Sequence, residues 1–525
     1  MRKINIRALL TGMTGRRLVL LSTAITTVFY NLFFFAFITE NVAILTVGGA
    51  LIFISASTVI FLFNLCLFSF LMIFGLFIFK LFGVLITIIN SVAIYYMANF
   101  NVILDRSMME NIFNSRFSEA SELITLKLFV YILVFGILPS YILCRIKATQ
   151  VDRKKVLVTA FFISGFSILF LYLNSSSWLW IDKYAKILGG KVLPWSYLIN
   201  SVRHYSALNL SVEDQKNLPN GSFADNKKMI FVLIIGETAR SNNFSLYGYS
   251  KKTNPLLESK PNVFALNNAK SCTTYTTGSL ACMLSASEDI GDIEALPTYL
   301  TRHGADVIWR TNNWGEPPIK VSRYVDATEL RKSCTGDKCK SDEVLLNNLS
   351  EVIYSSEKNK ILIVLHTKGS HGPSYYSRYP KAFEKFTPIC RFEDISKCSQ
   401  QELINAYDNT IVYTDYFISR TIDVLNSIPE TQSMLMYLSD HGESLGEHGL
   451  YLHGTPYMIA PDFQKDIPFI FWLSDKFIQS RKIDTTAFNQ SGNYDQFNVF
   501  HSVLGAFEFK SEAYEPKKDI LFNNF

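Results

Sequence analysis

The chain has 525 residues, 49% of them hydrophobic, and a formal net charge of only +5. The length suggests roughly two to four domains, and so small a charge argues against a nucleic-acid partner. Composition is uneven: Leu, Ile, Phe and Val dominate to about residue 175, and the remainder reads as an ordinary soluble domain.

In chain order, five stretches meet the need of a bilayer core for about 20 apolar residues per helix. They run at about 18–38, 42–66, 69–97, 126–144 and 157–174. The second and third nearly touch around Phe68 to Phe70. Lys80 lies inside the third, either near a kinked end or facing the bundle. Arg2, Lys3, Arg7, Arg16 and Arg17 precede the first stretch, and Arg145, Lys147, Arg153, Lys154 and Lys155 fill the loop between the fourth and fifth. Such loops stay in the cytoplasm, so five spans place the loop at 98–125 and everything after 175 outside. The first apolar run is too long for a signal peptide and no small-residue cleavage site follows it, so it is expected to remain. The domain plan is 1–175 transmembrane, 176–227 interfacial linker and 228–525 a soluble domain. In the linker, Trp178, Trp180, Trp195 and Tyr197 suit either a membrane interface or packing on the soluble domain.

Cys66 and Cys144 sit in apolar stretches, where a small buried cysteine is unremarkable. The other six form close pairs: Cys272 with Cys282, Cys334 with Cys339, Cys390 with Cys398. Six cysteines allow 15 pairings; joining neighbours is the simplest. No pair has the two-residue gap of a zinc knuckle, and disulfides imply an oxidising compartment.

From about Lys228 the pattern becomes strand, loop, helix. "MIFVLIIGET", "KILIVLHTKGSH" and "SMLMYLSDHGES" are continuous apolar runs that break into ionisable residues at their carboxyl ends. Runs of this kind fit parallel strands covered on both faces, and ligands bind at that edge of an open α/β sheet. Glu237, Asp440 and His441 then offer two carboxylates and an imidazole, a set that zinc accepts. A hydroxyl-rich segment, "CTTYTTGSLAC", lies between the first two cysteines. A metal lowers the pKa of a coordinated hydroxyl, so a threonine here is a candidate nucleophile. Chemistry alone leaves Thr273, Thr274, Thr276 and Thr277 equal.

The motifs "GETAR", "LHTKGSHGPSYY", "SDHGESLGEHGLYLHGTP" and the nucleophile loop resemble those of the phosphoethanolamine transferases of Gram-negative bacteria, which include the mobile colistin-resistance enzymes. The resemblance covers nearly the whole chain. It implies a five-helix transmembrane domain followed by a periplasmic α/β/α domain of the alkaline phosphatase and sulfatase fold, with three short-range disulfides. It implies Zn2+ held by Glu237, Thr276, Asp440 and His441, with Thr276 as the nucleophile that forms a covalent intermediate. His371 and His453 match histidines associated with substrate phosphate or a second metal, and His366 is similar but sits deeper on its strand. Asn111, Ser115 and Glu119 are spaced by four, one face of a helix, and match an Asn, Thr and Glu linked to lipid substrate. In "RTNNWGEPPIKV", Asn313 fits a donor-binding asparagine; the lysine position is Pro317, and Lys320 lies three further on. The expected partners are a phosphatidylethanolamine donor, a lipopolysaccharide acceptor and the bacterial inner membrane, with the chain acting as a monomer. Lipid A phosphate, Kdo and heptose are all acceptors in the family, and the sequence does not choose among them. The rival readings are a lipoteichoic-acid-synthase-like glycerol phosphate transferase and a catalytically inactive membrane scaffold.

Overall fold

The computed structural model describes residues 11–521 except 115–123, 151, 176, 178–179, 182–183, 208–211, 213–214, 289–292, 393–394, 429–430, 487 and 489–491. The described residues form two compact units, one made of those up to Ser206 and the other of those from Ala207 onward.

In the first unit, α1 (Gly15–Phe29) and α2 (Leu32–Asn41) meet at a 51° bend. There follow α3 (Val47–Ile73), α4 (Leu76–Phe100), the short α5 (Arg106–Asn114), α6 (Leu126–Arg145) and α7 (Arg153–Leu173). Four of these, α3, α4, α6 and α7, are long and apolar enough to cross a membrane, and the bent pair makes a fifth crossing if it is one span. The break between the second and third expected spans falls at Phe74–Gly75, not at Phe68 to Phe70. Gly75 has φ +102° there, a backbone conformation that glycine adopts without steric cost. The first expected stretch is likewise interrupted, at Tyr30–Asn31. Lys80 faces its neighbours: its Nζ donates to Cys144 O at 2.9 Å and Ile146 O at 2.7 Å, at the carboxyl end of α6, where a cation is favoured.

The linker forms α8 (Ala185–Lys191) and α9 (Trp195–Ala207). Three buried asparagines receive it, Asn31 at the break between α1 and α2, Asn64 on α3 and Asn90 on α4. Leu193 N donates to Asn31 Oδ1 at 2.8 Å, Trp195 Nε1 to Asn64 Oδ1 at 3.0 Å and Tyr197 OH to Asn90 Oδ1 at 3.1 Å. Trp180 packs on Phe37 and Tyr184. The described linker aromatics therefore pack on the membrane helices; Trp178 lies outside the described residues.

The second unit is built on a seven-stranded sheet. Its strands are β1 (Met229–Gly236), β2 (Val263–Leu266), β3 (Asp306–Thr311), β4 (Arg323–Asp326), β5 (Lys360–His366), β6 (Gln432–Ser439) and β7 (Phe469–Leu473). They lie in the order β2-β7-β6-β1-β5-β3-β4. The five from β6 to β4 run parallel, while β7 pairs antiparallel with both β6 and β2. Every residue of β1, β3, β5 and β6 is buried, which is why these runs read as continuously apolar. Side chains alternate between two cores. Met229, Phe231, Leu233 and Ile235 face one, with Leu280 and Met283 of helix α10 (Thr276–Met283). Ile230, Val232 and Ile234 face the other, with Leu403, Ala406, Tyr407 and Ile411 of helix α11 (Gln400–Asn426). A reciprocal Ser399–Glu402 capping box starts α11. The result is the expected α/β/α sandwich. Disulfides join Cys272–Cys282, Cys334–Cys339 and Cys390–Cys398.

Candidate active site

Parallel strands end on the same edge, and four of them deliver polar residues there. β1 runs directly into Glu237, and β6 on one side of it into Asp440 and His441. β5 on the other side leads to His371, and β3 beyond it to Asn313. Glu237, Asp440 and His441 have no exposed surface, and Thr276 is 6% exposed. Thr276 Oγ1 lies 3.3 Å from Glu237 Oε2, and His441 Nε2 lies 3.2 Å from Asp440 Oδ2 and 3.5 Å from Glu237 Oε1. The ligand atoms of Glu237, Asp440 and His441 all fall within 4.8 Å of one another, as do those of Glu237, His371 and His453.

The backbone fixes this arrangement. Thr238, at φ +58°, donates its N–H to Asp440 Oδ1 at 2.8 Å and its hydroxyl to Glu237 Oε1 at 2.6 Å. His441 N–H also donates to Asp440 Oδ1, at 2.7 Å. Asp440 thus uses Oδ1 on the main chain, while its Oδ2 and His441 Nε2 are buried without a hydrogen-bond partner. Orphaned buried polar atoms are costly. Two of them beside a second carboxylate and a hydroxyl form a group fitted to a divalent cation. Burial, reinforced by the Asp440 charge, pushes Glu237 up to about 8. Burial pushes Asp440 up to about 6 and His441 down to about 4. His441 is therefore neutral at pH 7, as a ligand must be, and two acids so reluctant to ionise call for a neighbouring positive charge.

Thr276 is the first residue of α10, behind Tyr275 as N-cap. The free N–H groups of that first turn favour an anion on its hydroxyl. Gln496 locks this loop to the end of β6: its Oε1 accepts from Cys272 N at 3.0 Å, and its Nε2 donates to Ser439 O at 3.1 Å and Asp440 O at 2.5 Å.

Residues 230–509 match the model of the Sulfatase family, and residues 59–208 match that of Phosphoethanolamine transferase EptA/EptB. Phosphoethanolamine transferase EptA of Helicobacter pylori is 40% identical over 452 residues, covering 84% of each chain. The chain belongs to the phosphoethanolamine transferases. It is an enzyme of that activity, with membrane-spanning helices ahead of a sulfatase-like domain. The integral membrane lipooligosaccharide phosphoethanolamine transferase A of Neisseria meningitidis superposes with a TM-score of 0.85 at 29% identity, covering 98% of this chain and 99% of that one. The C-terminal periplasmic domain of phosphoethanolamine transferase EptC from Campylobacter jejuni matches at 40% identity with a TM-score of 0.51, covering 58% of this chain and 97% of that one.

In this phosphoethanolamine transferase the four threonines of the loop differ in surroundings. Thr273 Oγ1 donates to Tyr275 O, Thr274 Oγ1 donates to Thr455 O, and Thr277 Oγ1 is buried without a partner. Among the described residues, Thr276 alone of the four reaches Glu237. His371 and His453 stand together with ring centroids 5.7 Å apart, and His453 lies 4.2 Å from His441. Asn313, the expected donor-binding asparagine, has its Nδ2 donating to Glu237 Oε2 at 2.7 Å and Thr367 O at 3.1 Å, so it holds the carboxylate. Lys320 is exposed, and its backbone N–H donates to Thr298. His366 has no exposed surface and packs on Trp309 and Thr311. Asn111 lies on α5 of the first unit; Ser115 and Glu119 lie outside the described residues.

Glu443 was not singled out from the sequence. It accepts from Tyr375 OH at 2.5 Å and lies 2.8 Å from His453 Nδ1, fixing the ring's orientation. Its signal was its place in "SDHGES". Gln496 had no local signal at all, because its partners lie 56 and 224 residues away.

Proposed function

We propose that the enzyme moves phosphoethanolamine from phosphatidylethanolamine, through a covalent bond to Thr276, onto a lipopolysaccharide-type acceptor outside the inner membrane. The observation that carries this reading is the placement of Thr276 Oγ1 beside Glu237, where the unpartnered Asp440 Oδ2 and His441 Nε2 also converge. Glu237, Thr276, Asp440 and His441 would hold Zn2+, a donor set of oxygens and one imidazole nitrogen that suits this ion. When bound, the ion lowers the pKa of a coordinated hydroxyl and neutralises phosphoryl charge.

Transfer proceeds in two displacements. Thr276 Oγ forms a bond to the donor phosphorus as the bond from phosphorus to the glycerol oxygen breaks, and diacylglycerol leaves with a proton. An acceptor hydroxyl or phosphate oxygen then bonds to phosphorus as the Thr276 Oγ–P bond breaks. The first turn of α10 steadies phosphoryl oxygens. His371 and His453 would carry the proton transfers at the leaving and entering oxygens, with Glu443 orienting His453.

The basic residues at the start of α1 and before α7 support a cytoplasmic placement of those ends. The three disulfides support a periplasmic catalytic unit. The Neisseria relative's lipooligosaccharide substrate supports a glycolipid acceptor. The test is Thr276→Ala in the full chain. The expected result is loss of transfer and of a phosphoethanolamine adduct in the intact mass of the protein. Undiminished transfer by that variant sinks the mechanism. Structural analysis of lipopolysaccharide from cells with and without the gene identifies the acceptor group.

A further inference from the structure

One surface feature beside the site plays no part in the chemistry above. Tyr457, Met458 and Ile459 are 39%, 87% and 45% exposed. Single exposed hydrophobics are ordinary, as Leu256, Tyr324, Tyr354 and Phe392 are elsewhere in this unit. A contiguous apolar tip is not, and such tips mark contact surfaces.

The tip stands on a rigid mount. Pro456 and Ala460 on either side are buried, and both Ile459 N and Ala460 N donate to Pro456 O, at 2.9 and 3.0 Å. At the base, Thr455 N donates to Gln464 Oε1 at 3.2 Å, and Gln464 Nε2 donates to Leu452 O at 3.1 Å. The mount is joined to the nucleophile loop by Thr274 Oγ1 donating to Thr455 O at 2.6 Å and Gly454 N donating to Thr274 O at 2.9 Å. It is joined to the metal-binding turn by Gly442 N donating to Gln464 O at 3.0 Å and Glu443 N donating to Phe463 O at 2.8 Å. The apolar tip thus shares a frame with both Thr276 and Asp440–His441.

Behind the tip, Lys465 lies over the Tyr457 ring and pairs with Asp462, while Lys270 pairs with Asp462 and Asp466. Asp495, the strand partner of Lys270, also acts on Tyr457, so two lysines stand against three aspartates and this collar carries no surplus of positive charge. It offers no attraction to an anionic head group, so what the tip offers is apolar contact. A phospholipid donor is an anchored hydrocarbon whose phosphate must reach Thr276, and hydrocarbon is what such a tip would meet.

We propose that Tyr457, Met458 and Ile459 engage the acyl-chain portion of the lipid donor and so steer its phosphate to Thr276. This rests on the lipid-to-threonine transfer proposed above.

The test uses the full chain in bilayer nanodiscs with two donors. One is phosphatidylethanolamine in the bilayer; the other is p-nitrophenyl phosphoethanolamine, a soluble ester without acyl chains. Combined Met458→Ser and Ile459→Ser substitution is expected to lower lipid turnover by about tenfold, the scale of losing burial of a large apolar side chain. Turnover of the soluble ester should change by less than about twofold, as for a surface substitution. Combined Met458→Leu and Ile459→Leu substitution should restore lipid turnover. Unchanged lipid turnover in the serine variant overturns the proposal, and so does an equal loss with both donors. Wild-type enzyme inert toward both donors overturns the transfer mechanism itself, and the tip's role with it.

Discussion

Asn313 reaches Glu237 Oε2 without being a ligand in the proposed set, so its effect is expected on the metal before the chemistry. Removing a hydrogen bond to a ligating carboxylate lowers metal affinity by about 10–100-fold. Asn313→Ala should show this in a chelator competition titration, and saturating zinc should restore most of its transfer activity. Equal zinc affinity in wild type and variant would contradict the assignment. Protons compete with the metal at the same carboxyls. Glu237 is pushed up to about 8 and Asp440 up to about 6, so both hold protons more tightly than free acids do. Zinc loading should therefore fall as pH drops from about 8 toward about 6, with release of protons on binding, as isothermal titration in buffers of different ionisation enthalpy would read. At this scale the sequence was legible where chemistry follows a strand directly, as at Glu237, Asp440 and His441. It was not legible in the contacts of Asn313, whose side chain turns to a carboxylate 76 residues away, nor in those of His366, which packs against Trp309 on a neighbouring strand.

Elements meet closely where β5 leaves the sheet beside β1. Gly369 has φ +50°, and a Cβ there would lie 2.8 Å from Glu237 O and 2.9 Å from Glu237 N. Ser370 N donates to Glu237 O at 2.9 Å, so this crossing also fixes the backbone of the proposed ligand. Gly369→Ala combines a strained conformation with a backbone clash. It is expected to lose zinc and transfer activity together, measured by metal analysis and turnover on the same preparation. Retention of both would show that the crossing yields. The catalytic strands were recognisable because burial on both faces makes them continuously apolar and their polar ends sharp. The membrane helices lacked such edges. α3 and α4 are apolar on all sides, so no periodicity marks their ends, and the break at Gly75 falls beyond the expected one at Phe68 to Phe70. The bend between α1 and α2 was hidden in the same way.

As a whole the molecule is two units, each with its own cores. The second carries all the proposed zinc ligands and all three disulfides. A polypeptide beginning at Ala207 is therefore expected to unfold as one cooperative transition and to bind zinc without the membrane helices. Calorimetry and metal analysis would check this, and a broad, metal-independent transition would show that the units depend on each other. The disulfides carry one more consequence, for the order in which the protein is made. Their sequence separations are 10, 5 and 8 residues, and no bridge encloses or interleaves with another. A chain emerging from its N-terminal side exposes each cysteine with its partner close behind, and each loop closes over a short span before the next pair arrives. Maturation then requires an oxidant but no reshuffling of wrong bridges. Cells lacking their disulfide isomerase should still yield the fully bridged enzyme, as alkylation gel shifts would reveal.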